Sequence, residues 1–200
     1  MEADECDLGK EDTGGRGAQA VQWEQWGGVV ERGRPETLVL QRLKPKMTKR
    51  RAPGPGPIKK IDWAPTAKKF LRGRKVILHT DGAKSYRLKT TPVDGILHDW
   101  VVHKKKRKVV NGKVVWFKPK YAILVEHKLP DGKVVHAKGG TQVIDRFWQE
   151  LRKHLGQRSQ RVNSKTVTNR VRSAQWHYWN RGKDLWLEAG RMLTSLRGGQ

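Results

Sequence analysis

Three acids stand apart in this strongly basic chain, each where a strand or helix should begin or end: Asp4, Asp81 and Asp145. Carboxylate oxygens are favoured ligands of hard divalent cations such as Mg²⁺. Asp81 closes the run Val76-Ile77-Leu78-His79-Thr80, whose apolar character fits a buried central strand. A side chain at the carboxyl end of a parallel strand projects into the crevice where α/β proteins bind ligands. Asp145 falls in the first turns of an amphipathic helix. Gln149 and Arg152 share its polar stripe, because seven residues return to nearly the same helical angle. Asp4 lies in Glu2-Ala3-Asp4-Glu5, just ahead of a Gly-rich stretch. Each acid also has a plainer account. Asp81 could cap the turn at Gly82, Asp145 could answer the helix dipole, and Asp4 could belong to an unstructured acidic end.

Other reactive residues offer less. The single cysteine, Cys6, cannot form an internal disulfide and excludes a Cys-rich zinc site, so a reducing compartment is the simpler expectation. Histidines 79, 98, 103, 127, 136, 154 and 177 show no tight metal spacing. His79 lies two residues before Asp81 and shares its strand face, where a packed strand histidine is the plainer role.

The elements that must position these acids follow from periodicity and turn chemistry. Residues 9–18 read as a Gly-rich loop. Val21–Val30 and Thr37–Leu43 are β-prone and joined by the turn Arg32-Gly33-Arg34-Pro35. The basic segment 44–57 ends in Ala52-Pro53-Gly54-Pro55-Gly56-Pro57 and reads as a linker. A helix over Trp63–Arg72, the strand ending at Asp81 and a strand over Ile96–Val102 follow. Two hairpins turn at Asn111-Gly112 and Asp131-Gly132. The next helix carries Ile144, Phe147, Trp148, Leu151 and Leu155 on one face, and two more helices are expected near 164–179 and 183–196. The expected architecture is a single α/β domain over residues 1–196, with a hairpin insertion over 104–137 and a tail over 197–200.

These motifs together resemble the ISXO-two-like transposase domain, an insertion-sequence branch of the DDE superfamily. Glu2-Ala3-Asp4-Glu5 matches its opening motif. Val76-Ile77-Leu78-His79-Thr80-Asp81-Gly82 with Tyr86 matches its strand-plus-turn motif. Ile144-Asp145, Trp148 and Leu151-Arg152 match its helix motif, and Trp26–Arg32 looks like its second strand. The resemblance spans about residues 2–190. It implies an RNase H-like mixed sheet flanked by helices, with Asp4, Asp81 and Asp145 as metal-holding catalytic acids. Arg152 stands where many members carry Lys. The chain departs from the family in its short third acid, its hairpin insertion, the lack of an upstream DNA-recognition region and the few residues before Asp4, which suggest a truncated first strand. The implied chemistry is attack on a phosphodiester by water or a 3′-hydroxyl, with two Mg²⁺ or Mn²⁺ ions activating nucleophile and leaving oxygen. Arg152 would bind a phosphate oxygen near the scissile bond.

Charge points to the same partner. Lys and Arg number 43 against 19 acids, a net +24, which calls for a polyanion: nucleic acid first, an anionic membrane second. No apolar run approaches the ~20 residues needed to span a bilayer. Expected phosphate contacts are Lys44, Lys46, Lys49, Arg50 and Arg51 in the linker, Lys104, Lys105, Lys106, Arg107 and Lys108 in the central run, and Arg152, Lys153, Arg158, Arg161, Lys165, Arg170 and Arg172 after the third acid. The run Lys104–Lys108 equally reads as a nuclear-import signal in a eukaryote, with nucleoid or cytoplasm the setting otherwise. Partners expected are transposon-end and target DNA and a second copy of the chain. Two functions stay open: a transposase that cleaves and transfers DNA strands, and a decayed or domesticated descendant that keeps only basic DNA binding.

Overall fold

A computed structural model describes residues 1–87, 95–103, 105–156 and 160–197. The chain opens with the strands Glu2–Asp12 (β1), Val21–Glu31 (β2) and Arg34–Arg42 (β3), with the short Lys46–Thr48 (β4). The helix Lys60–Leu71 (α1) leads into Val76–Asp81 (β5) and Ile96–Val101 (β6). Two hairpins follow, Lys106–Val110 with Lys113–Phe117 (β7, β8) and Ile123–Lys128 with Val134–Gly139 (β9, β10). Gln142–Leu155 (α2), Lys165–Trp179 (α3) and Leu185–Arg197 (α4) end the described chain.

The main sheet runs β3-β2-β1-β5-β6, and β4 pairs with the first residues of β2. β2 lies antiparallel to both β1 and β3. β5 is parallel to β1 and to β6. Cys6, Trp26, Leu38 and Leu40 meet Ile144, Phe147, Leu151 and Val171, so α2 and α3 cover one face. Ala3, Val29, Leu43 and Leu78 meet Trp63, Ala67 and Leu71 of α1 on the other. This is a mixed α/β architecture with helices on both faces of a mixed sheet.

The first strand differs from the sequence expectation. Residues 9–12 extend β1 instead of forming a loop, and pairing with β2 persists past a bulge between Asp7 and Gly9. Gly9 reads as a loop residue, yet a Cβ there would lie 2.3 Å from the Gln160 carbonyl oxygen. The glycine is required by a chain crossing over it. The segment 44–57 is also more ordered than a linker. Lys46 is buried, and its Nζ donates to the carbonyls of Gly56 at 3.2 Å and Pro57 at 2.5 Å. That removes Lys46 from the expected phosphate contacts.

Helix α2 is docked by a carboxylate. Glu2 is fully buried, and its Oε2 accepts the backbone N–H groups of Val143 at 2.7 Å and Ile144 at 3.0 Å. These donors have no partner inside the helix, and the positive dipole end favours an anion. Arg32 Nε donates to Glu2 Oε1 at 2.6 Å, and its other nitrogens donate to the carbonyls of Lys138 and Gly140. Replacing Glu2 with alanine strands these donors and is expected to cost about 3–5 kcal/mol. Chemical denaturation of Glu2→Ala beside the parent measures this, and a change under ~1 kcal/mol would contradict the docking role.

Candidate active site

Strand pairing brings two of the three acids onto neighbouring strands. Glu2 on β1 pairs with His79 on β5 in a parallel register. Two residues further along each strand lie Asp4 and Asp81, on the same sheet face by the strand period. The third acid, Asp145, comes from α2, which Glu2 docks over β1. The Asp4 and Asp145 side chains share a hydrogen bond. Thr141 Oγ1 donates to Asp145 Oδ2 at 3.0 Å, and Trp148 Nε1 donates to Asp4 Oδ2 at 3.1 Å.

A glycine makes this approach feasible. Gly28 pairs with Asp4 across β1 and β2. A Cβ on Gly28 would lie 2.9 Å from both Ile144 Cδ1 and Trp148 Cζ2. The indole therefore reaches the Asp4 carboxylate only by crossing bare backbone.

The electrostatics follow from crowding. Burial, then the carboxylates of Glu5, Asp145 and Asp81, hold the Asp4 pKa well above the ordinary carboxylate range. Burial also raises Asp145, against the hydrogen bond from Thr141 and the nearby His103. Glu5, on the opposite face of β1, is raised by burial but restrained by hydrogen bonds from Tyr86 Oη and the Ile58 N–H. One proton shared by Asp4 and Asp145 relieves their repulsion, and a hard cation could do the same. Asp81 meanwhile accepts the Ala83 N–H at 2.8 Å through Oδ1, the turn contact anticipated as its plainer role.

The donor chemistry fits a hard divalent ion: carboxylate oxygens and no thiolate. As the side chains stand, no group of three or more His, Cys, Asp or Glu among the described residues is gathered tightly enough to hold a metal. Asp4 and Asp145 are the two that meet.

The remaining expected residues lie at the periphery. Arg152 and Lys153 are exposed on α2. Lys49, Arg50 and Arg51 are exposed, but Arg50 is held by Asp12 through contacts of 2.6 and 3.1 Å. Lys105, Arg107 and Lys108 are exposed at and before β7, and Lys108 Nζ sits 5.6 Å from the Phe117 ring centre. Lys104 and Arg158 lie outside the described residues. Glu150, the next acid on α2, pairs with Arg181 and does not join Asp4. His79 is a packed histidine. Its Nδ1 and the Nε2 of His127 each lie 2.8 Å from the Asp99 carboxylate, which pins β9 to the sheet. Burial works against that carboxylate's charge, but the two histidine hydrogen bonds lower its pKa overall.

Sequence reasoning assigned no role to Glu2, Glu24, Gln25 or His103. Glu24, also fully buried, accepts from Trp26 Nε1 at 2.8 Å, Arg42 Nε at 2.6 Å and the Asn163 N–H at 2.9 Å. A charged residue inside an apolar strand was the available signal for Glu24. Comparison with known proteins found no matching family model, curated protein or solved structure.

The raised pKa of Asp4 fixes a pH dependence. Stability from its proton is full below the ordinary value of 3.8 and is lost as pH rises through the higher folded-state value. Asp4→Asn keeps an acceptor for Trp148 and removes the charge. Its unfolding midpoint should exceed the parent's by roughly 2–8 °C at pH 8 and converge with it near pH 4. Millimolar Mg²⁺ or Mn²⁺ should raise the parent's midpoint at pH 8 and leave Asp4→Asn nearly unchanged. Equal responses to the ions in thermal-shift measurements would rule out an ion at Asp4.

Proposed function

We propose that this chain is an RNase H-like, DDE-type domain that cleaves and transfers DNA strands. One observation carries the reading: Asp4 and Asp81 lie on neighbouring parallel central strands, each two residues past the paired Glu2 and His79, and Asp145 reaches Asp4 from a helix across that face. The sheet order, three antiparallel strands followed by two parallel ones, supports the RNase H-like assignment. The resemblance to ISXO-two-like transposases assigns catalysis to the same three acids.

In this reading Asp4 and Asp145 would hold the first divalent ion, and Asp81 would contribute from the end of β5. Bound there, Mg²⁺ or Mn²⁺ would supply an activated oxygen nucleophile and charge neutralisation at the phosphate. Glu2 fixes the helix that carries Asp145. Trp148 and Thr141 orient the two carboxylates. Arg152, exposed on the same helix, would meet a phosphate oxygen of the strand, and the exposed cations of segment 49–51 and β7 would hold the flanking backbone. DNA is the proposed partner, with a second copy of the chain where two transposon ends are joined.

A second reading is a decayed transposase that binds DNA without cutting it. It is favoured by the absence of a closed three-ligand group among the described residues and by the short reach of an aspartate at position 145.

Nicking of supercoiled plasmid separates the two. Asp145→Asn should lower Mg²⁺- or Mn²⁺-dependent nicking by a factor on the order of 10³–10⁴ while DNA binding persists. Asp145→Glu should retain activity. A folded, DNA-binding parent that never nicks with either ion would establish the second reading.

DNA affinity should fall linearly with log salt concentration, largely regardless of sequence. Because Asp12 engages Arg50, the double change Lys49→Ala and Arg51→Ala should account for most of the segment's share, flattening the slope by about 2. An unchanged slope in anisotropy titrations would place this segment off the DNA.

A further inference from the structure

The hairpin of β7 and β8 forms a sheet of its own, with no further strand on either edge among the described residues. Asn111 (φ 49°) and Gly112 (φ 72°) are both left-handed, as its two-residue turn requires. Residues paired across two strands share a face. Arg107 with Trp116 and Val109 with Val114 therefore make one face, while Lys108 with Val115 and Val110 with Lys113 make the other. Both faces are bare: Val109 is 66% exposed, Trp116 61% and Phe117 46%. Lone two-stranded hairpins are marginal in water, and clustered exposed apolar residues mark binding surfaces.

Charge decides what covers the ribbon. No acid stands between Asp99 and Glu126, whereas Arg107, Lys108, Lys113, Lys118 and Lys120 are exposed along this stretch. A second copy of the ribbon would set like charges together. A lipid surface would meet one face, yet the cations lie on both. A polyanion that walls the ribbon on two sides answers both faces. Paired strands lie about 4.8 Å apart, so with their side chains they fill the ~12 Å major groove of a duplex but not its ~6 Å minor groove. The ribbon also springs from the acid end of the main sheet: β6 ends at Val101, which pairs with Asp81, and β7 begins shortly after at Lys106.

We propose that the β7–β8 ribbon lies in the major groove of duplex DNA, with Arg107, Val109, Val114 and Trp116 against the base edges. Lys108 and Lys113, on the outer face, reach the phosphate walls, because long lysine stems carry their charged heads round an apolar edge. A guanidinium donates to guanine O6 and N7, and valines meet thymine methyl groups. Three apolar side chains and one arginine distinguish few base pairs, so affinity stays largely independent of sequence. Duplex binding is common to both functional readings; the use of that grip to present a strand to the acids rests on the strand-transfer reading.

The test is dimethyl sulfate footprinting of a mixed-sequence duplex in EDTA, beside anisotropy titrations. The reagent methylates guanine N7 in the major groove and adenine N3 in the minor groove. The saturating parent should protect guanine N7 and leave adenine N3 open. The double change Arg107→Ala and Trp116→Ala should lower duplex affinity about tenfold and abolish guanine protection even at saturation. Its thermal melt should match the parent's, since both side chains are exposed. Lys108→Ala with Lys113→Ala should flatten the salt slope by about 2 and keep the protection. A parent without guanine protection would overturn the proposal, as would protection that survives in the Arg107 and Trp116 variant. So would phosphatidylserine vesicles that bind the parent and not this variant, or a parent dimer in sedimentation that this variant splits. If the double variant does not fold, Val109→Glu takes its place, with the same loss of protection expected. A parent that protects guanine N7 but never nicks DNA sinks the strand-transfer reading and leaves the ribbon assignment standing. A parent that nicks without the protection does the reverse.

Discussion

One buried carboxylate, Glu2, ties together parts of the chain that would otherwise have no reason to meet. It sits on β1, receives the first backbone donors of α2, and is held in turn by Arg32 from the β2–β3 turn. Arg32 also grips the carbonyls at the end of β10 and just before α2. Strand, turn, hairpin and helix therefore share a single ion pair. A charge buried this deeply is tolerable only because every oxygen is answered by a donor. The position of Asp145 relative to Asp4 is set by this contact and not by the acids themselves, which repel one another.

That repulsion gives the site its character. Asp4, Asp145 and Asp81 crowd where burial already penalises charge, while the surplus cations sit on the exterior. The chain thus separates its charges by depth: negative at the end of the central strands, positive around it. In the proposed reading, such an arrangement would attract a polyanion from a distance and then present it with a place short of positive charge. In that reading a divalent ion would mediate between the two.

Much of this was legible in the residues. The amphipathic spacing of Ile144, Phe147, Trp148, Leu151 and Leu155 located α2, and the apolar run before Asp81 located β5, because both signals are local periods. The turn dipeptides at Asn111-Gly112 and Asp131-Gly132 marked the two hairpins for the same reason. The far end of β1 was not legible. Gly9 and its charged neighbours resemble a loop until Gln160 is seen to cross them. Lys46 read as a phosphate contact, because composition does not reveal that two carbonyls near Pro57 wait for its ammonium. The pairs Glu2–Arg32 and Glu24–Arg42 were likewise invisible, since the rest of each network lies more than a hundred residues away.

The central position of β1 also governs when the protein can exist. This strand is translated well before its parallel neighbour β5 and the helix bonded to Glu2, which come far later in the chain. Non-local pairings of this kind close slowly, since loop entropy is lost before contacts compensate. The meander of β1, β2 and β3 can form early as a local unit, leaving one long strand edge bare. Until β5 arrives beside Glu2, the start of that edge is open to pairing with other chains. The acids of a nascent chain are consequently kept apart until α2 has been made, so the activity proposed here would be withheld from incomplete chains by topology alone.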